Sequence, residues 1–528
     1  METAICPNRI DKRLEQIADS GQREVLAGGA IGLEKESLRV SPDGGISQQP
    51  HPSSLGSALT HPYITTDYSE ALIELITPPF EQAGEALDFL CDVQKFVYRS
   101  LDRELLWSTS MPCVLAGGSA IPIARYGSSN AGRMKTAYRR GLGHRYGRVM
   151  QVIAGVHFNF SVDPRLWPLL HGLDGGRGEL RHYTDQGYFG LTRNLLRYGW
   201  LIPYLFGASP AVCKSFLAGR PTPLQEFDHT TYYEPYATSL RMGDIGYTNS
   251  KEKGVGLKAN YNSLDAYVAS LTRAIDTPSP LWERIGVVVD GRYEQLNTHI
   301  LQIENEYYST VRPKQVLEGL EKPTHALRHR GVRYIELRSL DVNAFHPLGV
   351  SEEQLLFLKA FMLYCLLRES PPIDILEQRE IDQNLGGVAH RGRDPSLALL
   401  CRGRERRLRD WAGEILDQMQ GICELLDEGR AQAPHQRSLV RQRERIADPE
   451  QTPSARMLRQ MRERGEGFFQ FAQRMSHRHR DYYEGAALSG ERLEWFRREA
   501  EASQRRQCEL EAADEVDFAT FLRQYFAQ

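Results

Sequence analysis

Five short segments set charged or polar side chains at alternate positions between bulky apolar residues. In IGLEKESLRV, Glu34 and Glu36 stand two residues apart. In YSEALIELITP, Glu74 lies between Ile73 and Leu75; in VIAGVHFNFSV, His157 and Asn159 alternate with Val156, Phe158 and Phe160. In VRYIELRSLDV, Glu336 and Arg338 alternate with Ile335 and Leu337, and LQIENEYY offers Gln302, Glu304 and Glu306. Successive side chains of a strand leave opposite faces, so each alternation predicts a strand with one apolar and one ionisable face. A single such strand is an ordinary half-exposed one. Several in one sheet would gather carboxylates on a common surface. Two carboxylates 4 Å apart repel by about 4 kcal/mol at an effective dielectric of 20, so such a cluster calls for cations. Oxygen donors with at most one imidazole suit Mg²⁺, with Mn²⁺ as the alternative. An arginine on the same wall suits a phosphoryl group. Carboxylates, divalent metal and arginine together point to nucleotide-dependent phosphoryl transfer.

No standard phosphate loop accompanies them. RYGSSNAGRMKT spaces Gly127 and Gly132 as a Walker A loop does, but Arg133 and Met134 follow instead of Lys-Ser/Thr. GLGHRYG has its third glycine one residue late for a dinucleotide fingerprint. The stretch ARYGSSNAGRMKTAYRRGLGHRYG is dense in Arg and Tyr. It reads either as a solvated basic helix or as a wall that grips substrate carboxylates. YATSLRMGDIGYTN adds Arg241 and Tyr247, and NEYYSTVRPK adds Tyr308.

The elements that position these residues are legible in outline. Ile10, Leu14 and Ile17 predict a short helix ending near Gly21. Residues 29–345 mix strand-like and helix-like patterns. Pro371-Pro372 interrupt them, and a Gly-rich polar stretch, NLGGVAHRGRDPS, reads as a loop. Beyond it Leu408, Trp411, Ile415, Met419, Ile422 and Leu426 share a helical face with Gly429 as its stop, and Phe518, Phe521, Leu522 and Tyr525 repeat the spacing. The expected organisation is a catalytic domain over residues 1–370 and an α-helical region over 371–528 packed on it.

A chain of 528 residues exceeds one simple core. Its 65 basic and 68 acidic residues leave a net charge of −3, which excludes a global field for nucleic acid. Mean hydropathy of −0.46 excludes a polytopic membrane protein. WLIPYLFGASPAVC is too short and broken to span a bilayer and reads as buried. None of the eight cysteines forms a C-x-x-C pair, and the N-terminus lacks an apolar signal core. No disulfide scaffold, no membrane partner and a cytoplasmic location are expected.

GLEKESLRV, GSALTHPYITTDYSEALIELITP, SMPC, the YGSSNAGRMKT segment, GVHFNFS, GWLIPYLFGASPAVC, YATSLRMGDIGYTN, LQIENEYY, RPK and YIELRSLDVNAF follow in order. Together they resemble the proteobacterial type of the glutamate–cysteine ligase (γ-glutamylcysteine synthetase) family over about residues 29–350. The resemblance implies an α+β fold with an antiparallel sheet funnel of the glutamine synthetase-like type. It implies ATP-dependent ligation of the L-glutamate γ-carboxylate to the L-cysteine amine through a γ-glutamyl phosphate, the first step of glutathione biosynthesis. It makes Glu34, Glu36, Asp67, Glu74, His157 and Glu336 the metal shell and Arg338 the contact of the transferred phosphoryl group. It places Tyr138, Gln151, Arg241, Tyr247 and Tyr308 around the amino-acid substrates. Lys35 and Ser37 stand where relatives carry Arg and Thr. The alternatives are another carboxylate–amine ligase on the same scaffold, or a divalent-metal hydrolase needing no ATP. The expected partners are small molecules alone, and the expected state is a monomer.

Overall fold

The structure is a computed structural model and describes residues 9–246 and 258–528. Four of the five alternating segments form strands of one antiparallel sheet. We number its strands β1 (Ala30–Val40), β2 (Ile64–Thr66), β3 (Leu72–Ile76), β4 (Leu105–Leu106), β5 (Val156–Ser161), β6 (Val311–Lys314) and β7 (Tyr334–Leu340). Their order is β6-β7-β5-β1-β3-β2, with β4 paired to the far end of β1. The earliest strand therefore lies at the centre, flanked by β3 and β5. Register aligns the ionisable residues: Glu34 stands opposite His157, Glu36 opposite Glu74, and Glu336 opposite both Asn159 and Arg312.

The opposite face is the core. Leu33, Ile73, Leu75, Val156, Phe158, Phe160, Ile335 and Leu337 are all buried. Helix Ala83–Tyr98 covers β1 and β3, and helix Leu180–Tyr198 covers β6 and β7. Helix Glu352–Leu367 packs on both helices and is buried nearly all round, which fits its almost uncharged sequence. Ser351 and Gln354 close its N-terminus as a capping box. Charge enters this core at Lys35, Arg39 and Lys359, all buried. Burial brings the Lys35 ammonium down to about 7, and it donates to Gln94 Oε1 at 2.8 Å.

Several sequence expectations meet their elements directly. Ile10, Leu14 and Ile17 are buried along helix Arg9–Asp19. Helix Leu408–Asp427 buries the six residues named for it, with Trp411 tilted against Trp200 at 5.1 Å. WLIPYLFGASPAVC is buried as helix Leu201–Phe206 and strand Ala211–Cys213. Residues 375–526 are helical apart from the short hairpin Ala398–Cys401 with Arg404–Arg407. They pack back on the earlier part of the chain: Ser108 Oγ donates to the Ala472 carbonyl at 3.1 Å, and Asn130 N donates to Asp514 Oδ2 at 2.6 Å.

Three readings are corrected. NLGGVAHR is helical within Ile375–Arg391, because Asn384 clamps the Leu400 backbone through its own amide, both bonds at 2.7 Å. LQIENEYY is not a strand; Glu304–Glu306 make a single 3-10 turn. Cys113 and Cys213 form a disulfide, S–S 2.10 Å. At a sequence separation of 100, no local spacing announces it. Among the described residues no helix is long and apolar enough to cross a membrane.

Candidate active site

The polar face of the sheet opens into a cavity of ≈ 710 Å³. Glu34, Asp67, Glu74, Tyr138, Gln151, His157, Tyr308, Glu336 and Arg338 all line it. Strand pleating brings Glu34, Glu74 and His157 to one point, where one ligating atom from each lies within 4.8 Å of the others. His157 Nδ1 is 2.9 Å from Glu34 Oε2 and 4.0 Å from Glu336 Oε1, and its Nε2 is 3.7 Å from Glu36 Oε1. Asn159 Nδ2 holds the other oxygen of Glu34 at 2.9 Å.

The cavity wall separates charge along its length. Burial and the Glu34, Asp67 and Glu36 carboxylates hold Glu74 well above the usual carboxylate range. Burial also raises Glu36, whose Oε2 accepts from Gly155 N at 2.7 Å. On the β6 side the balance reverses. Burial opposes ionisation of Glu336, but Lys314, Arg338 and His157 hold it well below its ordinary value. Burial and Glu336 likewise oppose ionisation of Glu34, yet the His157 hydrogen bond brings it down. Lys314 Nζ stands 3.5 Å from Glu336 Oε1, and an Arg338 terminal nitrogen 3.3 Å from Glu336 Oε2.

Buried hydrogen-bonding capacity is left over here. Glu336 Oε2, Arg338 Nε and Asn159 Oδ1 are enclosed and make no hydrogen bond. Native interiors rarely leave such groups unsatisfied away from a ligand site. Two or more carboxylate oxygens with one imidazole suit a hard divalent cation, so the donor set fits Mg²⁺ or Mn²⁺. The arginine beside it suits an oxyanion.

Other predicted residues sit elsewhere. Glu36 and Arg241 lie beneath the cavity floor instead of on it. Arg241 is 2% exposed, donates to the Arg338 carbonyl at 2.9 Å, and approaches Asp341 at 3.7 Å. It passes so close to Gly155 that a Cβ there would collide with its guanidinium. Tyr308 packs with its hydroxyl 3.8 Å from Met242 Sδ, and burial raises its pKa. Burial raises Tyr138 too. Tyr247 lies outside the described residues.

Sequence reasoning missed Arg312 and Lys314 on β6. VRPK gives them the same i, i+2 alternation, so the signal was present. It also missed the apolar part of the cavity lining, contributed by Met134, Ile303, Leu317, Leu320, Leu510 and Tyr525. Glu306 lines the cavity but is bound to Arg145 at 2.8 Å and to the Tyr146 hydroxyl at 2.8 Å.

Comparison with known proteins places this geometry. The family model for glutamate–cysteine ligase matches residues 14–388. The glutamate–cysteine ligase of Alcanivorax borkumensis is 48% identical over 527 residues, covering 98% of this chain and 99% of that protein. The crystal structure of the Francisella tularensis glutamate–cysteine ligase in complex with AMP superposes with a TM-score of 0.89 at 34% identity, covering 95% of this chain and 98% of that one. A bifunctional glutathione synthetase from Pasteurella multocida gives a TM-score of 0.70 at 25% identity, covering 90% of this chain and 55% of that one.

Proposed function

The chain belongs to the glutamate–cysteine ligase family, and on that premise we propose that it condenses L-glutamate and L-cysteine at the expense of ATP. The products are γ-glutamylcysteine, ADP and phosphate, and the reaction opens glutathione biosynthesis. The observation that carries this reading is one cavity lined by the Glu34, Glu74 and His157 cluster, by Arg338 and Lys314, and by apolar side chains.

A carboxylate is a poor electrophile, so the γ-carboxylate of glutamate must first gain a leaving group. In our reading its oxygen attacks the γ-phosphorus of ATP, the bond to ADP breaks, and γ-glutamyl phosphate forms. Arg338 contacts the moving phosphoryl oxygens, where charge accumulates, while Glu336 fixes the guanidinium from behind. The cysteine amine then attacks the acyl carbon, and phosphate departs. Glu34, Glu74, His157 and Glu336 would hold Mg²⁺ or Mn²⁺, with Asp67 and Glu36 completing the acidic surroundings. A bound divalent cation supplies positive charge toward phosphate oxygens. Tyr138, Gln151 and Tyr308 face the space left for the amino acids, and Arg241 braces the Arg338 backbone from below.

The finer architecture belongs to the same proposal. We assign catalysis to residues 1–370 and treat 371–528 as an α-helical region packed on it. We read the antiparallel sheet as the funnel of a glutamine synthetase-like fold, supported by its full antiparallel pairing and one-sided carboxylates. A monomeric cytoplasmic enzyme is the corresponding cellular picture.

A coupled ADP-release assay tests the reading. We expect release with glutamate, ATP and Mg²⁺ to rise strongly on adding cysteine, and to vanish in excess chelator. Equal rates with unrelated amines would move the chain to another ligase. Full turnover in chelator would remove the metal from the mechanism, and metal-dependent hydrolysis without ATP would replace the ligase altogether.

A further inference from the structure

Helix Asn130–Tyr146 carries a second basic face that the catalytic cavity does not use. Tyr138, Arg139 and Tyr146 face that cavity, whereas Thr136, Arg140 and His144 face away into a separate pocket of ≈ 310 Å³. Arg125, Arg148 and Arg292 complete its basic lining, with Glu294 as its one acid. Glu294 is already engaged by Arg292 and by His144, the latter at 2.7 Å. Among the described residues Arg125, Arg140 and Arg148 make no close ion pair, although Glu294 attracts Arg140 at longer range. Arg140 and Arg148 are half-buried and aimed by backbone carbonyls, Arg140 by Tyr293 and Arg148 by Ile121 at 3.2 Å. Each carbonyl takes one terminal nitrogen, and both side chains line the pocket.

The pocket is built into the wall of the active site. Gly143 lies where Tyr68 of the catalytic cavity and Arg148 of the basic pocket approach the same helical turn, and a Cβ there would collide with the Tyr68 hydroxyl. That hydroxyl is buried and makes no hydrogen bond. Burial raises its pKa to about 12, against the pull of Arg148 and Arg139.

Four arginines and His144 line this open pocket against the single carboxylate of Glu294, so positive charge is in excess there and an anion would offset it. Guanidinium forks match tetrahedral oxyanions through paired N–H donors. We propose that the pocket behind helix Asn130–Tyr146 binds a multivalent oxyanion of the phosphate class, at a site distinct from the catalytic cavity. Free inorganic anions and the phosphate of a nucleotide share this chemistry, so both are tested.

Isothermal titration with pyrophosphate and, separately, AMP is carried out on full-length protein without divalent metal. The proteins are wild type, Arg140→Gln/Arg148→Gln, Arg125→Gln and Arg338→Lys. We expect saturable pyrophosphate binding that weakens at least tenfold in the double variant and severalfold in Arg125→Gln. Binding should change less than twofold in Arg338→Lys and should weaken with added salt. The Arg125 guanidinium is exposed and bonds nothing in the fold, so that variant reports even if the double variant is destabilised. AMP following the same variant pattern would identify a nucleotide phosphate as the occupant, and pyrophosphate alone would identify a free oxyanion. Equal affinity in wild type and both pocket variants, or a loss confined to Arg338→Lys, would overturn the site.

Discussion

Charge is handled in opposite ways on the floor of the cavity and along the helices of residues 375–526. On the floor, Glu34, Glu74, His157, Glu336 and Arg338 crowd together with Glu36 just beneath, and their carboxylates are pushed both above and below the ordinary range. Along the helices, charge is spread out and paired at the surface, as in Arg441 with Glu444 at 2.7 Å and Arg474 with Glu466 at 2.8 Å. Exposed pairs contribute about 0–1 kcal/mol each, so the second arrangement supplies solubility more than stability. A buried same-sign cluster costs stability and persists where a ligand offsets it. The contrast separates charge kept for chemistry from charge kept for water.

The largest expected effect lies on the floor. Arg338→Lys keeps the charge but loses the planar fork, and kcat should fall by roughly 10²–10³-fold, as for loss of one transition-state donor. The KM values for glutamate and cysteine should move far less. A lowered melting temperature with near-normal kcat would make Arg338 a structural ion-pair residue and blur the contrast.

An acid–base prediction concerns the contact between the two regions. His61 is 5% exposed, and its Nδ1 accepts from Tyr63 N at 3.1 Å and Ile64 N at 3.0 Å. Burial and then Arg506, from the helical region, bring its pKa from 6.5 down to about 4. The unfolded chain therefore binds the proton first. The stability this group contributes is complete above pH 6.5 and is lost as pH falls toward 4, roughly 3 kcal/mol over the window. Urea melts of wild type and His61→Asn between pH 7 and pH 4 should show a steeper acid loss in the wild type. Parallel curves would exclude His61 as the source.

Glu74 should behave in the opposite sense. Burial and its acidic neighbours hold it above its ordinary 4.5, so ionising it opposes folding and its penalty grows as pH rises above that value. In excess chelator Glu74→Gln should melt higher than wild type, more so at pH 8 than at pH 5. The gain is on the order of 1 kcal/mol, because cavity water reaches Glu74 and screens the repulsion. Activity should fall in the same variant. A lower melting temperature at both pH values would mean that Glu74 is a stabilising contact.

The smallest effect belongs to the helices. Arg441→Ala should change stability by about 0.5 kcal/mol or less and leave kcat untouched. A loss above ~2 kcal/mol would show that exposed pairs there carry the fold.

Legibility followed the same division. Period-2 alternation needs no partner, so Glu34, Glu36, Glu74, His157, Glu336 and Arg338 could be read from single strands. Arg312 and Lys314 escaped because Pro313 between them argues against a central strand, and β6 is in fact an edge. Alternation over only three residues misled in LQIENEYY, since a tight turn can carry the same spacing. Gly386 and Gly387 disguised a helix at about 1 kcal/mol each, which the Asn384 clamp on Leu400 offsets. The Cys113–Cys213 pairing and the pocket behind helix Asn130–Tyr146 join residues far apart in sequence, and no local rule reaches them.

The central place of β1 has a kinetic consequence. It pairs with β5, and β5 pairs with β7, so residues near 34, 159 and 336 must meet before the acids touch. Pairings this remote close large loops and come late in folding. The β1–β3 pairing closes a shorter loop and can form earlier, when only part of the acidic cluster is in place. The repulsion that defines the site then arises mainly after the rate-limiting step. A divalent ion offsetting it should slow unfolding while leaving the refolding rate nearly unchanged. Metal would act on the lifetime of the native state, not on how fast the chain finds it.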